Sequence, residues 1–137
     1  MQQVQLFLTL YKTNATLVRQ LEEKLQPLHL TLGRLCLLVA LHDAGGCAIP
    51  SELGDDLAVT RANISGLLKA LESIDMVRRE VDLSNRRRVL VYLTSKGKEV
   101  LERAWPIYEE TIATALEPLT TEEQSTFLTL LRKLNYF

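Results

Sequence analysis

Residues 82–94 read DLSNRRRVLVYLT, and this stretch decides the fold. Apolar and polar residues alternate in its second half, as they do in the preceding segment MVRREVD, residues 76–82. The alternating apolar positions are Val77, Val81, Val89, Val91 and Leu93. Such alternation is typical of strands, and the polar tip LSNRR between them is typical of a turn. The sequence therefore predicts a β-hairpin whose tip carries consecutive arginines.

The charge of the chain is concentrated rather than high. The 137 residues carry a net charge of −1. Residues 60–98 hold nine basic and four acidic residues, a net of +5, so the remainder is net −6. A basic middle flanked by acidic ends favours a localised surface that binds a polyanion. Charge alone also fits an ordinary solvated surface. The segments around the hairpin are therefore needed to choose between that interpretation and a surface that binds a polyanion.

Two short helices are predicted in front of the hairpin. Pro50 fits the first turn of a helix over PSELGDDLA, residues 50–58. Thr60 can cap the next helix. The apolar stripe of this second helix is Ile64, Leu67, Leu68 and Leu71. Two helices joined by a tight turn, with small and polar residues early in the second, are typical of a helix-turn-helix.

A helix-turn-helix followed at once by a basic hairpin predicts a winged helix. The second helix of the motif can lie in the major groove of DNA, where the base edges differ in donors and acceptors. The hairpin can reach the phosphates or the neighbouring minor groove, and a narrow minor groove attracts arginine. Arginines are then needed at one point, and the remaining surface need not be basic.

The chain before this region is predicted to form two helices. A long amphipathic helix opens the chain and ends near Pro27. Its apolar stripe is Val4, Phe7, Leu8, Tyr11, Val18, Leu21 and Leu25. Thr31 can cap a second helix that is apolar on most sides, and Gly45 with Gly46 ends it. We expect this second helix at the centre of the core.

Two further helices are predicted after the hairpin. Thr94 can cap a helix over Ser95–Leu116, in which Pro106 removes one backbone hydrogen bond and is expected to cause a kink. Thr120 and Glu123 form a capping box for the last helix. The apolar stripe of that helix is Phe127, Leu131 and Leu134. The predicted fold class is mainly α with a small β-hairpin wing, in one domain.

Residues 51–101, SELGDDLAVTRANISGLLKALESIDMVRREVDLSNRRRVLVYLTSKGKEVL, resemble the winged-helix core of MarR-type transcriptional regulators. The resemblance lies in a leucine-rich helix-turn-helix, an arginine after its exit, an arginine-rich wing and a Leu-Thr-x-x-Gly close. It is most specific over residues 52–97. It implies a homodimer that binds pseudo-palindromic double-stranded DNA and commonly represses transcription.

The resemblance also implies a division of the chain. Residues 1–137 would form a single MarR-like subunit. Residues 30–97 would be the winged helix-turn-helix lobe that binds DNA. Residues 1–27 and 98–137 would form the N- and C-terminal helical region that joins two subunits into a dimer.

Three residues depart from the family pattern. Asn85 stands where the family has the wing aspartate, so it can accept hydrogen bonds that shape the turn but cannot form an ion pair. Asp75 stands in place of a glycine and tolerates a left-handed turn adequately. Gly66 stands where a larger side chain is common, which removes one possible base contact and costs about 1 kcal/mol of helix propensity.

The candidate DNA-binding residues lie on the predicted recognition helix and the wing. They are Thr60, Arg61, Ala62, Asn63, Ser65, Lys69, Arg86, Arg87 and Arg88. Arg87 matches the family position that enters the minor groove, and Asn63 could bond an adenine edge with two hydrogen bonds. For Lys69 the alternative is contact with the DNA backbone or with solvent. For Arg88, which begins the return strand, the alternative is that it only flanks the phosphates. For the whole tip the alternative is exposed hairpin charge.

The resemblance further implies an effector pocket for a small aromatic acid, between the first two helices and the DNA-binding lobe. The candidate residues are Tyr11, Asn14, His29 and Arg34. Ordinary surface or core roles remain open for each of them. Cys36 is expected to be inert core, and a thiol sensor built on Cys36 or Cys47 is the alternative.

Together these features predict a cytoplasmic, dimeric DNA-binding regulator of transcription, a repressor whose DNA affinity a small-molecule effector alters. A winged-helix adaptor that binds another protein and has lost DNA binding is the alternative, which Asn85 and Gly66 leave open. The sequence has no recognisable nucleophile–base pair, phosphate loop or metal-ligand cluster, so we predict no enzyme, cofactor or metal. No apolar run approaches the ~18 residues of a membrane span, and we expect no signal peptide.

Overall fold

The computed structural model describes residues 1–53 and 61–135, without the side chains of Arg61 and Ala62. The helices are α1 (Gln2–Leu25), α2 (Leu32–Asp43), α3 (Pro50–Leu53), α4 (Arg61–Ser73), α5 (Ser95–Leu116) and α6 (Thr121–Asn135). The strands are β1 (Cys47–Ala48), β2 (Val77–Val81) and β3 (Val89–Leu93), and a short 3-10 turn spans Gln26–Leu28. The predicted fold class, mainly α with a small hairpin, is confirmed. The predicted continuation of α3 beyond Leu53 lies outside the described residues.

Three of the helices begin at the predicted caps. The hydroxyls of Thr31 and Thr94 each accept a hydrogen bond from the backbone N–H three residues on, at 3.2 and 3.0 Å. At the start of α6 the Glu123 backbone N–H donates to the Thr120 hydroxyl at 3.1 Å, and the Thr120 N–H donates to the Glu123 carboxylate at 2.9 Å. These bonds satisfy donors that the first helical turn leaves open. Side chains within a few residues therefore place these helix starts.

The hairpin is part of a three-stranded antiparallel sheet with the order β1-β3-β2. β2 and β3 form the predicted hairpin, and they pair from Val77 opposite Leu93 to Val81 opposite Val89. The sequence pattern did not predict β1, in which Cys47 lies opposite Tyr92. A strand of two residues is too short to show alternation, so its pairing depends on the edge that β3 offers.

The core is built around α2, as predicted. Leu35, Leu37, Leu38 and Leu41 of α2 are all buried. Their buried partners from other elements are Leu21, Leu25, Leu28, Leu30, Ala48, Leu53, Ile64, Leu68, Leu71, Met76, Val77, Val91, Val100, Leu101 and Ala104. Every described element except α6 contributes to this cluster, so one apolar core fixes α4 and the hairpin relative to each other.

The wing is joined to α5 by a tight packing of backbone on backbone. The Thr94 N–H donates to the Met76 carbonyl at 3.2 Å, and the Thr94 hydroxyl donates to the Asp75 carbonyl at 2.6 Å. A Cβ at Gly97 would lie 2.1 Å from the Met76 carbonyl oxygen, so only glycine fits there. Asp75 has φ = 62°, the left-handed conformation that the sequence predicted for this turn.

The two terminal helices differ from the rest of the fold. α1 buries only Leu21 and Leu25, near its C-terminal end, and α6 has no buried residue among those described. The large apolar side chains they expose include Val4, Leu6, Phe7, Leu8, Leu10, Tyr11, Phe127, Leu128, Leu130 and Leu134. Within the described ranges, no single helix is long and apolar enough to cross a membrane. Gln2–Leu28 and Leu32–Asp43 reach that length and composition only together, across a bend of 70°.

Candidate nucleic-acid interface

α4 has one face in the core and one face open to solvent. Ile64, Leu68 and Leu71 are buried. Asn63 and Ser65 are exposed, and so is Lys69 one turn further along the helix. Among the residues that the structure describes, no atom lies within 4 Å of the place a Cβ on Gly66 would occupy. The geometry suits a helix that enters a groove, although Thr60 and the side chains of Arg61 and Ala62 lie outside the described part.

The wing tip consists of two successive four-residue turns. The Asn85 N–H donates to the Asp82 carbonyl at 3.2 Å, and the Arg88 N–H donates to the Asn85 carbonyl at 2.9 Å. The Asp82 N–H closes the pair by donating to the Arg88 carbonyl at 3.1 Å. Arg86 and Arg87 occupy the corner of the second turn and are exposed. The predicted hairpin tip therefore presents both arginines at its end.

Asp82 holds the two turns together. It is only 6% exposed, and its Oδ1 accepts hydrogen bonds from the Ser84 N–H at 3.0 Å and the Ser84 hydroxyl at 2.7 Å. Its Oδ2 accepts from the Arg88 Nε and Nη2 at 3.1 and 2.6 Å. The hydrogen bonds from Ser84 and then Arg88 lower the pKa of Asp82 from 3.8 to about 2. We call this set of contacts the tip clasp.

The tip clasp divides the three arginines of the wing tip into one that is paired within it and two that lie outside it. The Arg88 guanidinium is paired with Asp82, while 47% of the Arg88 side chain stays exposed. Arg86 and Arg87 form no ion pair with any described residue. The Asn85 side chain accepts a hydrogen bond from the Arg87 backbone N–H at 3.2 Å, which is the turn-shaping role expected of it. The ion pair that Asn85 cannot make is supplied by Asp82.

The arginines at the base of the wing are also paired. Arg79 contacts Glu72 at 2.8 Å and so ties β2 to α4, which raises the pKa of Arg79 and lowers that of Glu72 through their hydrogen bond. Arg78 contacts Glu80 at 2.8 Å and lies 4.8 Å from the centre of the Tyr92 ring. On the hairpin, positive charge without an ion-pair partner among the described residues is therefore left at Arg86 and Arg87.

Comparison with known proteins agrees with this geometry. Residues 30–89 match the sequence profile of the MarR family. The repressor YetL of Bacillus subtilis, an HTH-type transcriptional repressor, is 30% identical over 129 residues, which cover 93% of this chain and 77% of YetL. The chain belongs to the MarR family. The transcriptional regulator HosA of Escherichia coli is 39% identical over 75 residues, and this match spans 55% of the chain and 56% of HosA.

The fold of solved MarR proteins matches as well. A point mutant of MarR from E. coli, solved in complex with operator DNA, superposes with a TM-score of 0.88 at 28% identity. The match covers 97% of this chain and 95% of that one. Helices and wing of this MarR-family chain thus share the arrangement of a protein solved on DNA.

The predicted effector residues fall into two groups in this MarR-family chain. Tyr11 and Asn14 line one groove, together with Thr31 at the start of α2. Arg34 instead donates from Nη1 to the His29 carbonyl at 2.9 Å, and neither residue lines that groove. The bond forms because His29 ends the 3-10 turn in the left-handed conformation, φ = 60°, with its carbonyl near the first turn of α2. The structure thus does not bring the four predicted residues together.

A second place for a small molecule was missed in the sequence. Trp105 of α5 is 41% exposed, and its ring centre lies 5.4 Å from that of Tyr108. Two grooves between α2 and α5, ≈ 570 and ≈ 410 Å³, meet along Trp105, Val39 and Asp43. A single aromatic residue in a helical stripe gives no signal that distinguishes a groove wall from core.

The two cysteines are free thiols and are both partly buried. Burial raises the pKa of the Cys36 thiol, so less of it is thiolate at neutral pH and it is less reactive. This agrees with the inert role expected for Cys36. Within the described residues, no three His, Cys, Asp or Glu side chains come together in a way that could hold a metal ion.

Proposed function

We propose that this chain is a homodimeric, sequence-specific DNA-binding regulator of transcription, and specifically a repressor. The observation that carries the proposal is the wing tip, where Arg86 and Arg87 are exposed and form no ion pair with a described residue. The other arginines of the hairpin, Arg78, Arg79 and Arg88, are held by carboxylates. Such an arrangement presents two cations at one point rather than making a whole surface basic.

Double-stranded DNA is the partner that suits this arrangement. The open face of α4, with Asn63 and Ser65, fits the width of the major groove, and amide and hydroxyl groups can read base edges there. The wing then lies beside it, where arginine is attracted to a narrow minor groove. The likeness to E. coli MarR solved with operator DNA and to the repressor YetL supports this proposal.

The dimer is proposed from the terminal helices. Phe7 and Tyr11 on α1 and Leu134 on α6 are 65%, 66% and 69% exposed. Large apolar side chains exposed in this number on two helices usually mark an interface. Obligate interfaces bury about 2,000 Å² or more, which two long helices from each copy can supply. Two copies of α4 related by two-fold symmetry would read a pseudo-palindromic operator.

A small-molecule effector would act by favouring one spacing of the two recognition helices. The groove along Trp105 is the better candidate for its site, because it has aromatic walls and connects α2 of the lobe to α5. A planar aromatic molecule, including an aromatic acid, fits such walls. An effector alters DNA affinity only if it binds the two dimer states differently, and coupling of roughly 1–3 kcal/mol is typical. We place the protein with DNA in the cytoplasm and assign it no catalytic activity.

A second candidate function, an adaptor that binds another protein, is favoured by one observation. Val81, Leu83 and Val89 near the wing tip are exposed, and Leu83 is 90% exposed. Exposed apolar side chains can form part of a protein interface. The adjacent arginines favour DNA, so the adaptor remains the second choice.

A gel-shift titration with duplex DNA from upstream of the protein's own coding sequence separates the two functions. We expect a discrete shifted band that unlabelled duplex of the same sequence competes away and unrelated duplex does not. Light scattering on the same sample should give the mass of a dimer. The absence of any shifted complex at low salt would contradict DNA binding and favour the adaptor.

A further inference from the structure

Arg88, the third arginine of the tip, contacts Asp82 of the same wing. We propose that Asp82 and Arg88 are a positioning pair that fixes the direction in which Arg86 and Arg87 point, so that both reach DNA together. This inference rests on the proposed DNA-binding function and deepens it. Asp82 is then more than one of the acidic residues of the basic segment, and Arg88 supports the predicted DNA contacts instead of being one of them.

The inference rests on the fact that the two carboxylate oxygens of Asp82 accept hydrogen bonds from different residues. Oδ1 takes both hydrogen bonds from Ser84, which belongs to the first turn. Oδ2 takes both hydrogen bonds from Arg88, which ends the second turn. One buried carboxylate therefore joins the two turns, and the segment between its partners contains Arg86 and Arg87.

The tip clasp is built from strong contacts. Hydrogen bonds between a guanidinium and a carboxylate are charge-assisted, and the 2.6 Å contact from Arg88 Nη2 is at the short end of their range. Asp82 is the only charged side chain that is buried among the described residues. A buried carboxylate without such partners would be costly, so the clasp and the burial depend on each other.

A wing tip that is already ordered in the free protein should bind DNA with higher affinity. An unconstrained tip would have to lose conformational freedom in the complex, and that loss would subtract from affinity. The clasp removes the freedom in the free protein and keeps the guanidiniums of Arg86 and Arg87 outside it. Arg88 is then neutralised, so each wing offers two cations to DNA rather than three.

The alternative is that Arg88 leaves Asp82 and contacts a phosphate, with Asp82 as a competing anion. The two hypotheses predict opposite changes in DNA affinity for the Asp82→Asn variant. If Asp82 only competes, removing a negative charge beside DNA strengthens binding. If Asp82 positions the tip, the same change weakens binding although the protein becomes more positive.

The experiment measures DNA affinity by fluorescence anisotropy on a selected duplex for Asp82→Asn, Arg88→Lys and the double variant. Glu80→Gln is the matched control, because Glu80 is an acid of the same hairpin that pairs with Arg78 outside the tip. We expect each single variant to weaken binding roughly tenfold, the equivalent of about 1.4 kcal/mol, while Glu80→Gln does not weaken it. Lysine keeps the charge of Arg88 but cannot reproduce the contacts of its planar fork.

The double variant should be no weaker than either single variant, because both remove the same clasp. Both single variants should remain folded at the temperature of the assay, as circular dichroism checks, because the apolar core does not include the tip. Binding by Asp82→Asn that equals or exceeds wild type, or wild-type affinity in Arg88→Lys, would overturn the positioning role and leave the proposed function standing. If Asp82→Asn did not fold, Arg88→Lys alone would decide. Failure of the wild-type protein to bind DNA would overturn both.

Discussion

The winged helix-turn-helix region and the two terminal helices carry the same kind of apolar periodicity but use it differently. In α2 and α4 the apolar stripes are buried by the chain itself. In α6 no described residue is buried, and the N-terminal half of α1 is exposed. Periodicity thus shows that a helix face will be covered, but not what covers it. For the terminal helices we infer a second copy.

The largest effect is expected on the free energy of unfolding, when a side chain of the buried core is truncated. Leu38 of α2 is fully buried, so Leu38→Ala leaves a cavity and should lower the free energy of unfolding by about 2–5 kcal/mol. Leu83→Ala removes the same atoms from a residue that is 90% exposed and should change stability by less than about 0.5 kcal/mol. Urea unfolding of both variants checks this. Equal stabilities would contradict the assignment of the core.

The next effect tests the terminal helices. Phe127→Asp puts a charge in the apolar stripe of α6 and should raise the dimer dissociation constant roughly 30-fold, as for a hot-spot loss of about 2 kcal/mol. Thr129→Asp adds the same charge on the opposite face of the helix and serves as the control. Sedimentation velocity over a range of concentrations distinguishes them. If both variants remained dimers like wild type, the stripe would not be the interface.

A smaller effect is expected for Arg87→Ala, which should weaken DNA binding without destabilising the fold. Arg87→Ala opens no cavity and should change stability by less than about 0.5 kcal/mol. Each of the two wings in a dimer loses one cation, so the slope of log affinity against log salt should shrink by up to about 1.8. Arg103→Ala, an exposed arginine of α5 away from the wing, is the control.

Asn63→Ala should contrast with Arg87→Ala. It should relax base preference at symmetric positions of the site and change the salt slope little, because no charge is lost. Competition between duplexes that differ at single positions measures this. An Arg87→Ala protein with wild-type affinity and salt dependence would make the tip a solvated turn and move the adaptor function ahead.

The smallest effect is a pH dependence within the wing. The pKa of Asp82 is about 2 in the folded protein and 3.8 without its partners, so its carboxylate is stabilised by folding. That stabilisation is fully present above pH 3.8 and is lost as the pH falls toward 2. Thermal unfolding of wild type should therefore lose stability across this range relative to Asp82→Asn. Parallel pH profiles of the two proteins would contradict the clasp.

What the sequence predicted well depends on neighbouring residues. The threonine caps, the glycine stop after α2 and the position of the hairpin turn all follow from contacts within a few positions. The order of helix-turn-helix and wing also lies within one continuous segment, which is why the resemblance could be recognised there. These features need no knowledge of distant packing.

What the sequence did not predict depends on which side chains meet. β1 is two residues long and exists because β3 offers an edge. Asp82 and Arg88 lie six residues apart in a tip whose two turns had to be known before their contact could be expected. The resemblance implied one pocket for His29, Arg34 and Tyr11, but the 3-10 turn gives Arg34 a backbone partner instead.

The most direct test of DNA reading by a dimer is selection of bound duplexes from a random-sequence pool. The account predicts enrichment of two inverted half-sites whose centres lie about one helical turn apart, or a multiple of it, as a two-fold dimer requires. Enrichment should be lost with Arg87→Ala at moderate salt. A pool that stays random with wild-type protein, or that yields a single half-site without symmetry, would contradict it.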